Sequence, residues 1–133
     1  SLVDVYAGTN IIADGDTNEV QRVDITGGPT GGTYTLTYSG QTTAAIPFDA
    51  SANAVQGYLT ALSNIRPGDV TVAGGAAEPY DVTFGGSLRA TNVAQMTATA
   101  TGLTGGTTPG VTITTVTAGS ATPSFVRAIK IVA

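Results

Sequence analysis

The hexapeptide Thr33-Tyr34-Thr35-Leu36-Thr37-Tyr38 decides the fold class. Tyr34, Leu36 and Tyr38 recur with a period of two, and three threonines fill the alternate positions. Side chains alternate between the two faces of a strand, so this pattern reads as a β-strand with one apolar and one hydroxyl face. Threonine suits both roles, because its branched Cβ favours extended backbone and its hydroxyl tolerates solvent. Upstream, Val23 and Ile25 predict a preceding strand. The glycine-rich segment 27–32 between the two is read as a hairpin turn, since glycine reaches positive φ without steric cost. Downstream, residues 41–48 predict a third strand that ends near Ile46 and Phe48.

The pattern then changes period. Val55, Tyr58, Leu59, Leu62 and Ile65 recur every three or four residues and form one stripe of a helix over about 51–64. Ser51 is placed to cap its N-terminus, Asp49 lies just upstream where the helix dipole favours an acid, and Pro67-Gly68 would stop the helix. Gly57 lies inside it and costs roughly 1 kcal/mol against alanine. A small residue there would let the helix approach the sheet. Strand patterns resume at Val70 and Val72, at Tyr80, Val82 and Phe84, more weakly at Met96, Ala98 and Ala100, and at Val111 and Ile113 running on toward Val116. Phe125 to Val132 is apolar on both alternating faces apart from Arg127 and Lys130. The expected fold is mainly β (α+β), a helix-capped antiparallel β-sandwich of about seven or eight strands with one helix near 51–64. Thr-Gly segments before Tyr34 and before Val111 echo each other, and both are read as hairpin chemistry.

Composition narrows the function. The chain has 133 residues, which fits one domain. Charged residues are 11% of it, under half the usual share of about 25%. Its surface must therefore be hydrated through hydroxyls or covered by partners. The five basic residues, Arg22, Arg66, Arg89, Arg127 and Lys130, are scattered against a net charge of −4. Nucleic acid needs clustered cations, so it is not an expected partner. No apolar run approaches the roughly 20 residues that span a bilayer, so a membrane is not expected either. The start lacks the pattern of a signal peptide.

Chemistry is also constrained. There is no histidine and no cysteine, which removes the commonest general base, the usual zinc ligands and any disulfide framework. Asp14-Gly15-Asp16-Thr17-Asn18-Glu19 opens like a calcium loop. It carries Glu19 where that loop needs glycine and Ile25 where it needs a bidentate acid, so a turn is the reading. The glycine pairs lack the Lys-Ser/Thr that ends a phosphate-binding loop. Asp24, Asp49, Asp69, Glu78 and Asp81 are the acids available for glycoside hydrolysis. Asp69 and Glu78 fall in turns and Asp24 and Asp81 on solvent faces of strands. No catalytic residue, cofactor or metal is expected. Lys130, the sole lysine, reads as a charge marking a strand edge or an interface.

Four pieces carry a family resemblance: EVQRVDITGGPTGGTYTLTYSGQTTAAIPFDASANAVQGYLTALSNI from Glu19, then DVTVAGG, YDVTFGGSLRATNVAQMTA and GLTGGTTPGVTITTVTAG. Together they resemble a Thr/Gly-rich β module of structural proteins, head decoration or minor tail, of actinobacterial tailed phages. The most distinctive part is TGGTYTLTYSGQTT followed by FDASANAVQGYL, because Thr-Gly composition alone would not produce the helix. The resemblance covers about Glu19 to Gly119 and gives the expected organisation: an N-terminal arm 1–18, a β module 19–119, and a C-terminal strand or arm 120–133. It implies a non-enzymatic virion protein, assembled in the host cytoplasm. The foremost expectation is a capsid decoration protein on the capsid surface that bridges subunits of the major capsid protein, with a homotrimer as the implied state. The alternatives are a minor tail or tail-tube protein in contact with tail proteins, and a carbohydrate-binding or adhesion module. The first flank is acidic and the second basic, and both have strand-like apolar content. They are therefore expected to pair, either within one subunit, closing the sheet, or between subunits as a strand-exchange contact; the second is the reading taken, with Leu2, Val3, Val5, Tyr6, Phe125, Arg127, Ile129, Lys130 and Ile131 as interface residues.

Overall fold

The computed structural model describes residues 16–75 and 78–121. The proposed interface residues Leu2, Val3, Val5, Tyr6, Phe125, Arg127, Ile129, Lys130 and Ile131 lie outside them, as do Asp14 and the predicted strand at Phe125–Val132.

The chain forms a helix-capped antiparallel β-sandwich. The strands are β1 (Val20–Thr26), β2 (Gly31–Tyr38), β3 (Gln41–Thr42), β4 (Ile46–Pro47), β5 (Val70–Gly75), β6 (Glu78–Phe84), β7 (Thr97–Thr99), β8 (Leu103–Thr104) and β9 (Gly110–Thr117), and helix α1 (Ala52–Thr60) follows β4. One sheet has the order β5-β6-β1-β9. The second is organised around β2, which pairs with β3, β4, β7 and β8. The strand that decided the fold class behaves as its alternation requires: Tyr34, Leu36 and Tyr38 are buried in the core. From the opposite sheet come Val23, Val70, Val72, Tyr80, Val82 and Phe84, and from the helix Val55 and Leu59. Burying each large apolar side chain stabilises by about 1.5–3 kcal/mol before entropy is counted.

Five expectations differ from the structure, the last being the third strand. First, β1 and β2 do not form a hairpin. β1 lies between β6 and β9, while β2 belongs to the other sheet. Alternation assigns faces but not partners, and here the glycine segment carries the chain from one sheet to the other. Second, the segment before Val111 is not a hairpin either, because β8 pairs with β2 and β9 with β1. The two echoing Thr-Gly segments pack against each other instead. Thr30 N–H donates to Thr104 O at 2.9 Å and Thr107 N–H to Gly27 O at 2.7 Å. A Cβ on Gly106 would lie 2.6 Å from the carbonyl carbon of Gly28, and one on Gly32 would lie 2.8 Å from the Cα of Leu103. Neither contact leaves room for a side chain.

Third, α1 ends at Thr60 rather than near residue 64. Ser51 caps it as expected, accepting from Ala54 N–H at 3.1 Å. Past Ala61 the chain tightens: Leu62 N–H bonds Leu59 O and Ile65 N–H bonds Leu62 O. These i→i+3 bonds keep Leu62 and Ile65 buried without extending the helix. Fourth, Gly57 does not bring the helix close to the sheet. It is exposed, and a Cβ there would meet nothing within 4 Å. The helix docks beside β5 through Gln56, whose Oε1 accepts from Val72 N–H at 3.0 Å and so covers a backbone donor of that strand.

The expected third strand is split into β3 and β4. Thr43 interrupts it by bonding β2 through both backbone and side chain: Thr43 N–H donates to Leu36 O, and Leu36 N–H donates to Thr43 Oγ1. Ser39 and Gly40 both have positive φ, 46° and 84°, which is what a two-residue hairpin loop matching strand twist requires.

Candidate functional site

Face alternation in β1 runs backward from Val23 to Gln21 and Glu19, and it places two polar side chains inside the sandwich. Gln21 is fully buried and Glu19 is 1% exposed. Burying polar groups is costly unless they are hydrogen-bonded, and here they are. Glu19 Oε2 accepts from Gln21 Nε2 at 2.8 Å, and Glu19 Oε1 accepts from Gly119 N–H at 3.0 Å. Gln21 Nε2 also donates to Ala94 O at 3.0 Å, and Gln21 Oε1 accepts from Met96 N–H at 2.8 Å. Two side chains thereby tie the entrance of β1 to residues 94–96 and to the exit from β9.

The same region joins the two ends of the module. Thr17 N–H donates to Ser120 O at 2.8 Å, and Ser120 N–H donates to Thr17 O at 2.9 Å. This isolated antiparallel bridge extends the β1–β9 ladder past an irregularity at Val20/Gln21. Asn18 Oδ1 accepts from Ala90 N–H at 2.9 Å, and Phe84 N–H donates to Glu19 O at 2.8 Å. Gly119 is packed so tightly that a Cβ would lie 2.6 Å from the carbonyl carbon of Thr91 and nearer still to its oxygen. The entering and leaving segments are thus held side by side. We call this end of the sandwich the root.

Beside the root, Asp69 closes the turn between α1 and β5. It is buried, its Oδ2 accepts from Arg66 N–H at 2.9 Å, and its Oδ1 accepts from Ser87 N–H at 3.0 Å and Ser87 Oγ at 2.8 Å. The Arg66 and Ser87 backbone amides, then the Ser87 hydroxyl, hold this carboxyl below the usual carboxylate range. Arg66 and Arg89 flank this clamp and are exposed.

The remaining candidates are structural. Arg22 and Asp81 stand opposite each other on the outer face of the four-stranded sheet and form a two-pronged ion pair, Nε–Oδ1 2.8 Å and Nη2–Oδ2 3.2 Å. The Arg22 hydrogen bond lowers the Asp81 carboxyl. Arg22, Ala73, Gly74, Pro79 and Asp81 line only an open surface depression. Asp24 and Asp81 occupy partly exposed strand positions, as expected. Among the described residues no three acids, histidines or cysteines cluster as metal ligands, and no helix is long and apolar enough to cross a membrane. Glu19, part of the rejected calcium-loop reading, is committed to its own hydrogen bonds. Tyr34, Tyr38, Tyr80 and Phe84 are core residues, and Phe48 and Tyr58 pack against that core. Sequence reasoning missed Glu19 and Gln21 as an inward pair, although their parity with Val23 was the available signal.

Comparison with known proteins bears on this geometry. The tail sheath protein of Mycobacterium phage Bxz1 is 39% identical over 99 residues, covering 74% of this chain and 16% of that protein. The chain resembles a phage structural protein. It spans about a sixth of that relative's length. A solved structure from Mycobacterium phage Patience matches with a TM-score of 0.58 and 26% identity, over 77% of this chain and 38% of that one. No family model matches. The resemblance to phage structural proteins read from the sequence is thereby supported in both sequence and fold.

Proposed function

We propose that the chain is a non-enzymatic structural module of a tailed-phage particle that acts by adding contacts to a protein lattice. The similarity to the Bxz1 tail sheath protein is the observation that carries this reading. The chemistry of the described residues agrees with it. The buried carboxylates are consumed by internal hydrogen bonds, and the exposed strand positions are largely threonine.

As a capsid decoration protein, the chain would sit on the head surface against the major capsid protein, and its flanking segments would bridge neighbouring subunits. The small, charge-poor module with both ends at one place supports that location. A tail location, in contact with tail proteins, is the second reading, and the tail sheath relative favours it. The test is the copy number of the chain in purified particles, by quantitative mass spectrometry against the major capsid protein. A ratio near that of the capsid protein supports decoration. A ratio matching the tail proteins moves the module to the tail. Absence from particles refutes the virion reading.

A further inference from the structure

The module has two different ends, and their difference gives it a direction. β1, seven residues long, leaves the root at Val20 and reaches the opposite end at Thr26, roughly 20 Å away at strand rise. β9 runs the other way, with Gly110 beside Thr26 and Thr117 beside Val20. The far end holds the interlocked loops 27–30 and 105–109, with exposed residues such as Thr107. The root holds the Thr17–Ser120 bridge, the Asn18–Ala90 bond and the Glu19–Gly119 bond. Covalent continuation on both sides, into residues 1–15 and 122–133, occurs only there.

We infer that the root end is the face by which the module is seated on its lattice, and that the interlocked Thr-Gly loops point away from it. This rests on the virion reading above and adds the orientation. Two observations carry it. A module whose ends are paired by two backbone hydrogen bonds can be joined to a larger assembly at one point without distorting its sheets, which is the geometry that tolerates domain insertion. In the Bxz1 protein the matching region is 16% of a longer chain, so there the related module is borne by a larger body.

The chain has no cysteine, so single thiols can report each end without background. Asn92→Cys and Ser120→Cys mark the root, and Thr30→Cys and Thr107→Cys mark the far loops; all four positions are exposed. Each variant is labelled with a bulky maleimide, first as free subunit and then in intact particles. All four should react in the free subunit. In particles the root thiols should slow by about tenfold or more, as residues excluded from solvent by an interface do, while the loop thiols keep their rate. Equal reactivity of both ends in particles, or protection of the loops alone, overturns the orientation. Absence of the chain from particles by mass spectrometry instead marks the failure of the virion reading.

Discussion

Replacing Gly119 by alanine is the most searching perturbation of the root. Gly119 does not adopt positive φ, so backbone conformation poses no obstacle to alanine. The obstacle is space. The new Cβ would stand 2.6 Å from the Thr91 carbonyl carbon, nearer to its oxygen, and 3.1 Å from Glu19 N. Backbone must therefore move on one side or the other, because no flexible side chain can yield. Overpacking of this kind costs about 1–3 kcal/mol. Displacing Gly119 also strains its N–H bond to the buried Glu19 carboxylate, and hydrogen bonds to charged groups contribute roughly 1.5–3 kcal/mol. The expected loss is about 3–5 kcal/mol, a large part of the 5–15 kcal/mol typical of a whole domain. At this size that corresponds to a fall in Tm of roughly 10–20 °C. Thermal and urea unfolding followed by circular dichroism measures it. Gly57→Ala is the internal control: its Cβ enters open space on the helix, and stabilisation of about 0.5–1 kcal/mol is expected. A Gly119→Ala protein within about 0.5 kcal/mol of the parent, the range of an ordinary surface change, would refute the packed root.

Three other outcomes follow from particular groups. Tyr80 donates its hydroxyl to Ala50 O, whereas the Tyr34 hydroxyl is buried beside it without a normally formed hydrogen bond, and burial pushes both phenols up. Tyr80→Phe should therefore be less stable than Tyr34→Phe by about 1–2 kcal/mol in urea unfolding, and equal stabilities would contradict this assignment. Asp69 and Asp81 have carboxyls lowered in the folded state. Their stabilising effect is fully present above the unfolded value near pH 4 and is lost as pH falls through the folded values. Asp69→Asn should flatten the acid limb of a stability-against-pH curve, and an unchanged limb would remove Asp69 from the argument. Finally, every described buried apolar residue lies between Val23 and Leu103. A polypeptide of residues 16–121 should fold with a Tm close to that of the full chain, and collapse of that fragment would show that the flanks complete the core.

The sequence makes local structure legible here and conceals partnership. Alternation at Tyr34, Leu36 and Tyr38, the Ser51 cap and the stripe from Val55 to Ile65 all announce elements whose burial is set by neighbours in sequence. The sandwich with one helix follows from them. The pairing of β1 with β9 and β6 depends on residues about 60 to 90 positions away, and no local pattern encodes it. The glycine segments look like hairpins because glycine signals any tight path, including a crossing between sheets. Gly57 looks like a packing glycine because the stripe does not say how far the helix stands from the sheet. The root is half legible: the acids before β1 are visible in the sequence, but the calcium-like segment that ends at Glu19 reads as a turn. The parity of Glu19 and Gln21 with Val23 points inward, and only the donors at Gly119, Ala94 and Met96, remote in sequence, explain how that burial is tolerated.

These features together explain why such a unit can be portable. β1 is an interior strand of its sheet, so the first strand cannot be satisfied until the last strand, β9, arrives beside it. The interlocked loops at one end and the Glu19–Gln21 network at the other both join the beginning of the module to residues beyond 90. Closure therefore occurs at both ends of the sandwich and is complete between Thr17 and Ser120. A module closed in this way can be carried within a longer chain, as the related region of the Bxz1 tail sheath protein is, because its stability depends on contacts it brings with it.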